Sequence, residues 1–142
     1  MGTTLHAYRK SHAIFALGVL LCLGGCQTPF LFFSGQALVG EEQTTESFAF
    51  AERYTLLSLE VRPRDPYSVI LRVVMRDGEL YIDAADRRRW HTYLKEDARV
   101  RVKLGDGVYA ATAVRIEDPA ITEQFLAGRV IYRIEPRPSA SN

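Results

Sequence analysis

Residues 99–104 read Arg-Val-Arg-Val-Lys-Leu, a strict alternation of basic and aliphatic side chains. Successive side chains on a strand point to opposite faces, so this pattern specifies a strand with one apolar face and one wet face. The valines and the leucine are expected inward and the basic residues toward water. Gly105-Asp106-Gly107 then turns the chain, and 108–117 (VYAATAVRIE) returns with Val108, Ala110, Thr112, Val114 and Ile116 on one face. A hairpin this long must bury its apolar face against further strands.

The flanking sequence supplies them. Tyr54–Arg62 (YTLLSLEVR) predicts a strand ending at Pro63, and Ser68–Arg76 (SVILRVVMR) predicts a second. Asp77-Gly78 is a hairpin turn, because both residues tolerate positive φ, and Glu79–Asp83 (ELYID) pairs back as a third. Over Ala84–Glu96 the period changes. Trp90, Tyr93 and Leu94 fall at helical spacing, with Asp86 placed to cap. Asp118-Pro119 reads as cap and first residue of a second short helix through Ile121, Phe125 and Leu126, stopping near Gly128. Arg129–Glu135 (RVIYRIE) is the last strand. Six strands and two short helices predict a small six-stranded barrel, since closure removes exposed edges and explains alternating strands.

The N-terminus carries a different signal. Arg9 and Lys10 precede Ala13–Gly25 (AIFALGVLLCLGG), an unbroken apolar run of 13 residues. A spanning helix needs about 20 apolar residues, whereas a basic segment, a short apolar core and small residues make a secretory signal. The run ends in Leu23-Gly24-Gly25-Cys26, which resembles the lipobox of bacterial lipoproteins. Cys22 follows Leu20 and Leu21, which are too bulky for that pattern. The resemblance implies cleavage after Gly25, a diacylglyceryl thioether on Cys26 and membrane anchoring. Gln27, where an aspartate tends to retain such proteins in the inner membrane, favours the outer membrane and a periplasm-facing domain in an organism that has one.

The expected organisation is a signal over 1–25, a lipidated N-terminus and tether over 26–50, a barrel over 51–138 and a tail over 139–142. Within the tether, Pro29-Phe30-Leu31-Phe32-Phe33 is strongly apolar. It suits either the lipid interface or an added strand on the domain, and a short apolar run does not decide between them.

Removing the signal changes the chemistry available. The precursor has 18 basic and 17 acidic residues, and without Arg9 and Lys10 the mature chain has 16 and 17. Near neutrality gives no clustered positive field of the kind nucleic acid requires, so none is expected as a partner. Neither cysteine remains a free thiol, which excludes a disulfide, a thiol nucleophile and a cysteine zinc site. His6 and His12 leave with the signal, so His91 stands alone. No metal site and no catalytic constellation are expected.

The succession of Arg76-Asp77-Gly78, the strand ELYIDA, a helix with Trp90 and Leu94, Asp97-Ala98-Arg99-Val100-Arg101-Val102, Gly-Asp-Gly and a long strand ending Val114-Arg115-Ile116-Glu117-Asp118-Pro119 resembles the pyridoxamine-phosphate-oxidase-like split barrels. Among these it is most similar to the deazaflavin-dependent nitroreductases, over roughly residues 54–135. The resemblance implies a six-stranded split barrel that often forms a homodimer and binds FMN, deazaflavin or haem at the subunit junction.

In that branch a Gly/Ser/Lys/Arg-rich run binds phosphate. The corresponding stretch is Val61-Arg62-Pro63-Arg64-Asp65-Pro66-Tyr67-Ser68. Arg62 and Arg64 remain able to grip a phosphate, but prolines and an aspartate replace the glycines, and proline donates no amide hydrogen. The cofactor site is therefore expected to be lost or remodelled. Arg62, Arg64 and Trp90 are the candidate cofactor-binding residues, against surface charge for the arginines and core packing for the tryptophan. Arg87-Arg88-Arg89 suits anionic lipid headgroups or a solvated helix face. His91 is a candidate acid or base without a partner motif. The expected function is a membrane-anchored, non-catalytic binding or structural module for an unidentified small molecule, with a flavin- or deazaflavin-dependent oxidoreductase as the alternative.

Overall fold

The computed structural model describes residues 35–138. Cys26, the Phe30–Phe33 run and the tail lie outside the described residues. Eight strand segments form a single sheet: β1 (Glu42–Gln43), β2 (Leu56–Val61), β3 (Tyr67–Arg72), β4 (Val74–Arg76), β5 (Glu79–Ala85), β6 (Arg99–Leu104), β7 (Gly107–Ile116) and β8 (Arg129–Pro136). A 3-10 helix covers Ala49–Arg53, and two α-helices, α1 (Arg89–Glu96) and α2 (Pro119–Thr122), interrupt the strands.

The strand order is β3-β2-β6-β7-β8-β5-β4, with β1 added parallel to β7. The remaining pairs are antiparallel. The two ends of this order, β3 and β4, are separated in sequence by Val73 alone. The sheet therefore curls until its ends are consecutive pieces of one chain segment. The first piece pairs with β2 and the second with β5. This corrects the six-strand expectation. The predicted strand Ser68–Arg76 breaks where Val73 turns its N–H to Thr55 O at 3.0 Å, and β1 adds an eighth segment.

The interior follows the alternation. Val100, Val102 and Leu104 of β6 point inward beside Leu57, Leu59 and Val61 of β2, and Leu80, Ile82 and Ala84 of β5 complete that wall. β7 presents Ala111 and Ala113 to this core. Its opposite face is not simply wet, since Val108 and Ala110 are also buried. Trp90 and Leu94 of α1 belong to the same core cluster, and α1 packs on β2 and β3.

Turns match their residue types. Arg76 pairs with Glu79 across Asp77 and Gly78, whose φ values of +50° and +79° are the conformation predicted for that dipeptide. Leu104 pairs with Gly107 across Gly105-Asp106.

Both helices are shorter than their patterns predict. Ala84 and Ala85 stay in β5, paired with Val130 and Arg129, so α1 begins at Arg89 and Arg88, not Asp86, is its N-cap. Asp118 does cap α2, accepting Ala120 N–H at 2.9 Å, but the helix ends at Thr122.

The tether expected over 26–50 is also corrected from residue 35 on. Leu38 and Phe48 are buried, and Gln36, Leu38, Gly40 and Glu42 are fastened to the barrel. The anchor is Arg101, whose Nη1 reaches Leu38 O at 3.1 Å and Glu60 Oε1 at 3.2 Å. Its Nη2 reaches Gly40 O at 3.0 Å. Arg101 Nε lies 3.2 Å from Glu42 Oε1, an ion pair off the hydrogen-bond direction. Glu60, almost fully buried on β2, also accepts Leu38 N–H. Arg101 was expected to face water; it is covered by residues that the local strand pattern does not include.

Candidate functional site

Where β3 faces β5 and the start of α1, the barrel wall opens into a cleft of about 480 Å³. Tyr67, Val69, Ile70 and Leu71 form one side, and Asp83, Ala85, Trp90 and Arg129 form the other with Arg87, Arg88 and Arg89. The position follows from the topology. β3 has β2 on one edge only, and the chain leaves β5 at Ala85 to make an irregular turn before α1.

The charge is lopsided. Arg129 Nε donates to Asp83 Oδ2 at 2.5 Å and its Nη2 approaches Asp83 O at 3.3 Å, so this arginine is balanced within the wall. Arg87, Arg88 and Arg89 are exposed, and Asp86, also exposed, is the carboxylate beside them in sequence. α1 has no acid in its first turn and no side-chain cap, so its positive end adds to that excess. Trp90 is buried, at 5% exposure, yet contributes to the cleft wall. The arrangement can hold an anionic group by charge-assisted hydrogen bonds against an apolar floor.

Of the three residues singled out for cofactor binding, the structure brings Trp90 to this cleft, whereas Arg62 and Arg64 do not line it. Arg62 has φ +59°, pairs with Asp65 and lies 4.5 Å above the Tyr93 ring. Tyr93 in turn meets Tyr67 edge-on at 5.8 Å. Arg64 is exposed in the β2–β3 turn. A phosphate cradle over residues 62–68 does not fit these facts. Arg62 is engaged by a carboxylate and a ring, and Pro63 and Pro66 offer no amide hydrogen.

His91 is fully buried and does not line the cleft. Its Nδ1 is 2.8 Å from Tyr132 Oη, while Nε2 has no hydrogen-bond partner and lies 3.7 Å from Asp86 Oδ1. Burial pushes the imidazole below its ordinary value of 6.5; Lys95 acts in the same direction, and Asp86 opposes it. Burial likewise raises the Tyr132 phenol. The pair is a buried polar link between α1 and β8. Among the described residues no cluster of three metal-ligating side chains occurs, and no helix is long and apolar enough to cross a membrane.

Sequence reasoning named Arg87–Arg89 but could not attach them to a cleft. Arg129 and Asp83 carried no local signal at all. They meet only because β5 and β8 pair in the register Ala85↔Arg129 and Asp83↔Ile131.

Neither protein-family models nor curated proteins match the chain. Solved structures do. A pyridoxamine 5'-phosphate oxidase candidate from Listeria innocua superposes with a TM-score of 0.54 at 18% identity, covering 63% of this chain and 90% of that one. A conserved hypothetical protein from Mycobacterium tuberculosis gives 0.54 at 19%, covering 70% and 87%. General Stress Protein 26 from Bacillus anthracis gives 0.52 at 20%, covering 61% and 82%. With the curled antiparallel sheet and the two helices, these likenesses establish the chain's fold as a split barrel of the pyridoxamine-phosphate-oxidase-like kind.

Proposed function

We propose that this chain is a lipoprotein, cleaved after Gly25 and acylated on Cys26, whose split barrel is a periplasm-facing binding module at the outer membrane. The barrel holds an anionic ligand in the cleft beside Trp90 and performs no redox chemistry of its own. The observation that carries the binding reading is the cleft's charge: three exposed arginines and Arg129 converge on it, with Asp83 already paired to Arg129. The Leu23-Gly24-Gly25-Cys26 sequence carries the anchoring reading.

A second reading, a flavin- or deazaflavin-dependent oxidoreductase, draws on the description of the Listeria innocua protein, which shares the fold at 18% identity. Against it stands the engaged, proline-flanked stretch around Arg62, and His91 is tied to Tyr132 rather than free to ligate haem. Native mass spectrometry tests the choice. Protein purified from its membrane is expected to carry an anionic adduct whose occupancy falls when Arg87, Arg88 and Arg89 are all replaced by Gln, whereas a bound flavin or haem mass supports the oxidoreductase instead. For the anchor, Cys26→Ser is expected to block processing and release the protein; unchanged membrane association rejects the lipobox.

A further inference from the structure

The arginine-lined cleft lies on the side of the barrel where the chain arrives. Gly35, the first described residue, donates its N–H to Ser68 O on β3 at 2.8 Å. A Cβ built on Gly35 would stand 3.6 Å from the Tyr67 ring, and Tyr67 belongs to the cleft wall. Eight residues lie between Cys26 and Gly35, and the nine backbone steps from one to the other span about 30 Å when fully extended. An acyl chain on Cys26 thus keeps Gly35, beside the Tyr67 wall of the cleft, within about 30 Å of the bilayer surface, whatever path the intervening residues take.

Two features of the cleft suit that surface. Arg87, Arg88 and Arg89 are exposed beside it, and basic residues near anionic lipid reinforce an acyl anchor. Ile70, in the opposite wall, is one of four large apolar residues left exposed among the described residues, at 48%. A free inorganic anion would use the arginines and gain nothing from Ile70. A lipid offers a phosphodiester to the first and glycerol or acyl carbons to the second. Asp83 is paired with Arg129, which leaves Asp86 as the repelling carboxylate in that turn.

We infer that the cleft takes the phosphodiester headgroup of an anionic phospholipid from the membrane that holds the anchor. Anchor and cleft together fix the barrel with its β3–α1 opening toward the lipid. This inference rests on the lipid-anchored, anion-binding reading above, and its test separates the two.

Trp90 is the single tryptophan of the chain and lines the cleft, so its emission reports on occupancy. The full chain and its Cys26→Ser form, each purified in a non-ionic detergent, are titrated with dihexanoyl phosphatidylglycerol, dihexanoyl phosphatidylcholine and inorganic phosphate. Phosphatidylglycerol is expected to shift Trp90 emission saturably in both proteins, and phosphatidylcholine to leave it unchanged. Arg88→Gln weakens the response about threefold, and combining it with Arg87→Gln and Arg89→Gln weakens it about tenfold or more. These side chains are exposed, so unchanged thermal unfolding accompanies the loss. The inference is overturned by a silent phosphatidylglycerol titration, by undiminished affinity in the triple variant, or by inorganic phosphate saturating at the same or a lower concentration. Because Cys26→Ser retains the cleft, failure of the anchor in cell fractionation leaves the titration standing, and a silent titration leaves the anchor standing.

Discussion

Arg101 shows how far one residue's role can depart from its local pattern. Its place in Arg-Val-Arg-Val-Lys-Leu specifies an outward side chain, and outward it is, but residues 38–42 lie over it. The local signal is correct about direction and silent about what covers the face. Glu60 is 3% exposed and takes its opposite charge from Arg101. Removing one partner of a buried ion pair leaves the other uncompensated. Arg101→Ala is therefore expected to lower unfolding free energy by about 3 kcal/mol in urea denaturation. Arg101→Met combined with Glu60→Gln should recover part of that loss.

His91 makes the second residue-scale prediction. Burial holds it neutral in the fold, below its ordinary value of 6.5, while the unfolded chain titrates near that value. The unfolded state therefore binds the proton first on acidification. The stability His91 contributes is complete above pH 6.5 and is lost as pH falls from there through its folded value. Thermal unfolding followed from pH 7.5 downward should show this loss, and His91→Gln should flatten it within that window. An unchanged slope in the variant would place the titration elsewhere.

At the scale of elements, the hairpins were legible because their determinants are adjacent in sequence. Asp77-Gly78 and Gly105-Asp106 adopt the turns that their residue types require, and β6 spans the predicted residues. What was not legible depended on distant partners. Val73 breaks the predicted strand Ser68–Arg76 because the two halves pair with different strands. Ala84 and Ala85 remain extended because β8 supplies a ladder, which overrides their helical preference.

The stretch 35–43 has polar composition and reads as a tether, yet β1 pairs with Val108 and Tyr109. Gly40 makes that approach feasible: its φ is +144°, and a Cβ there would fall 2.8 Å from the Val108 Cγ2. Gly40→Ala is expected to lift residues 36–43 from the barrel. Amide exchange should speed up there by tenfold or more, at roughly 1–2 kcal/mol of local stability, while β5 and β8 keep their protection. Equal exchange in variant and parent would mean that the close approach at Gly40 is not what holds the segment.

At the scale of the molecule, alternating strands and short turns point to a barrel, and the sheet order supplies what alternation cannot, namely where the wall opens. The cleft lies between β3 and the β5–α1 turn, and its lining comes from separate segments of the sequence, from Tyr67 to Arg129. Trp90, one of the candidate cofactor-binding residues, lines the cleft. Arg62 and Arg64 were named by correspondence with a phosphate-binding run, and the proline-rich turn carries them elsewhere. The split-barrel fold therefore sets the opening, and the exposed arginines around it are what the proposed anion binding draws on.

The central claim, that this barrel binds an anion and carries no redox cofactor, meets its most direct test in the absorption spectrum of the full-length protein purified from its own membrane without added ligand. The account predicts tyrosine and Trp90 absorption alone, with no chromophore in the flavin, deazaflavin or haem range. A visible or near-ultraviolet cofactor band in one-to-one proportion with the protein, retained through gel filtration, would contradict it.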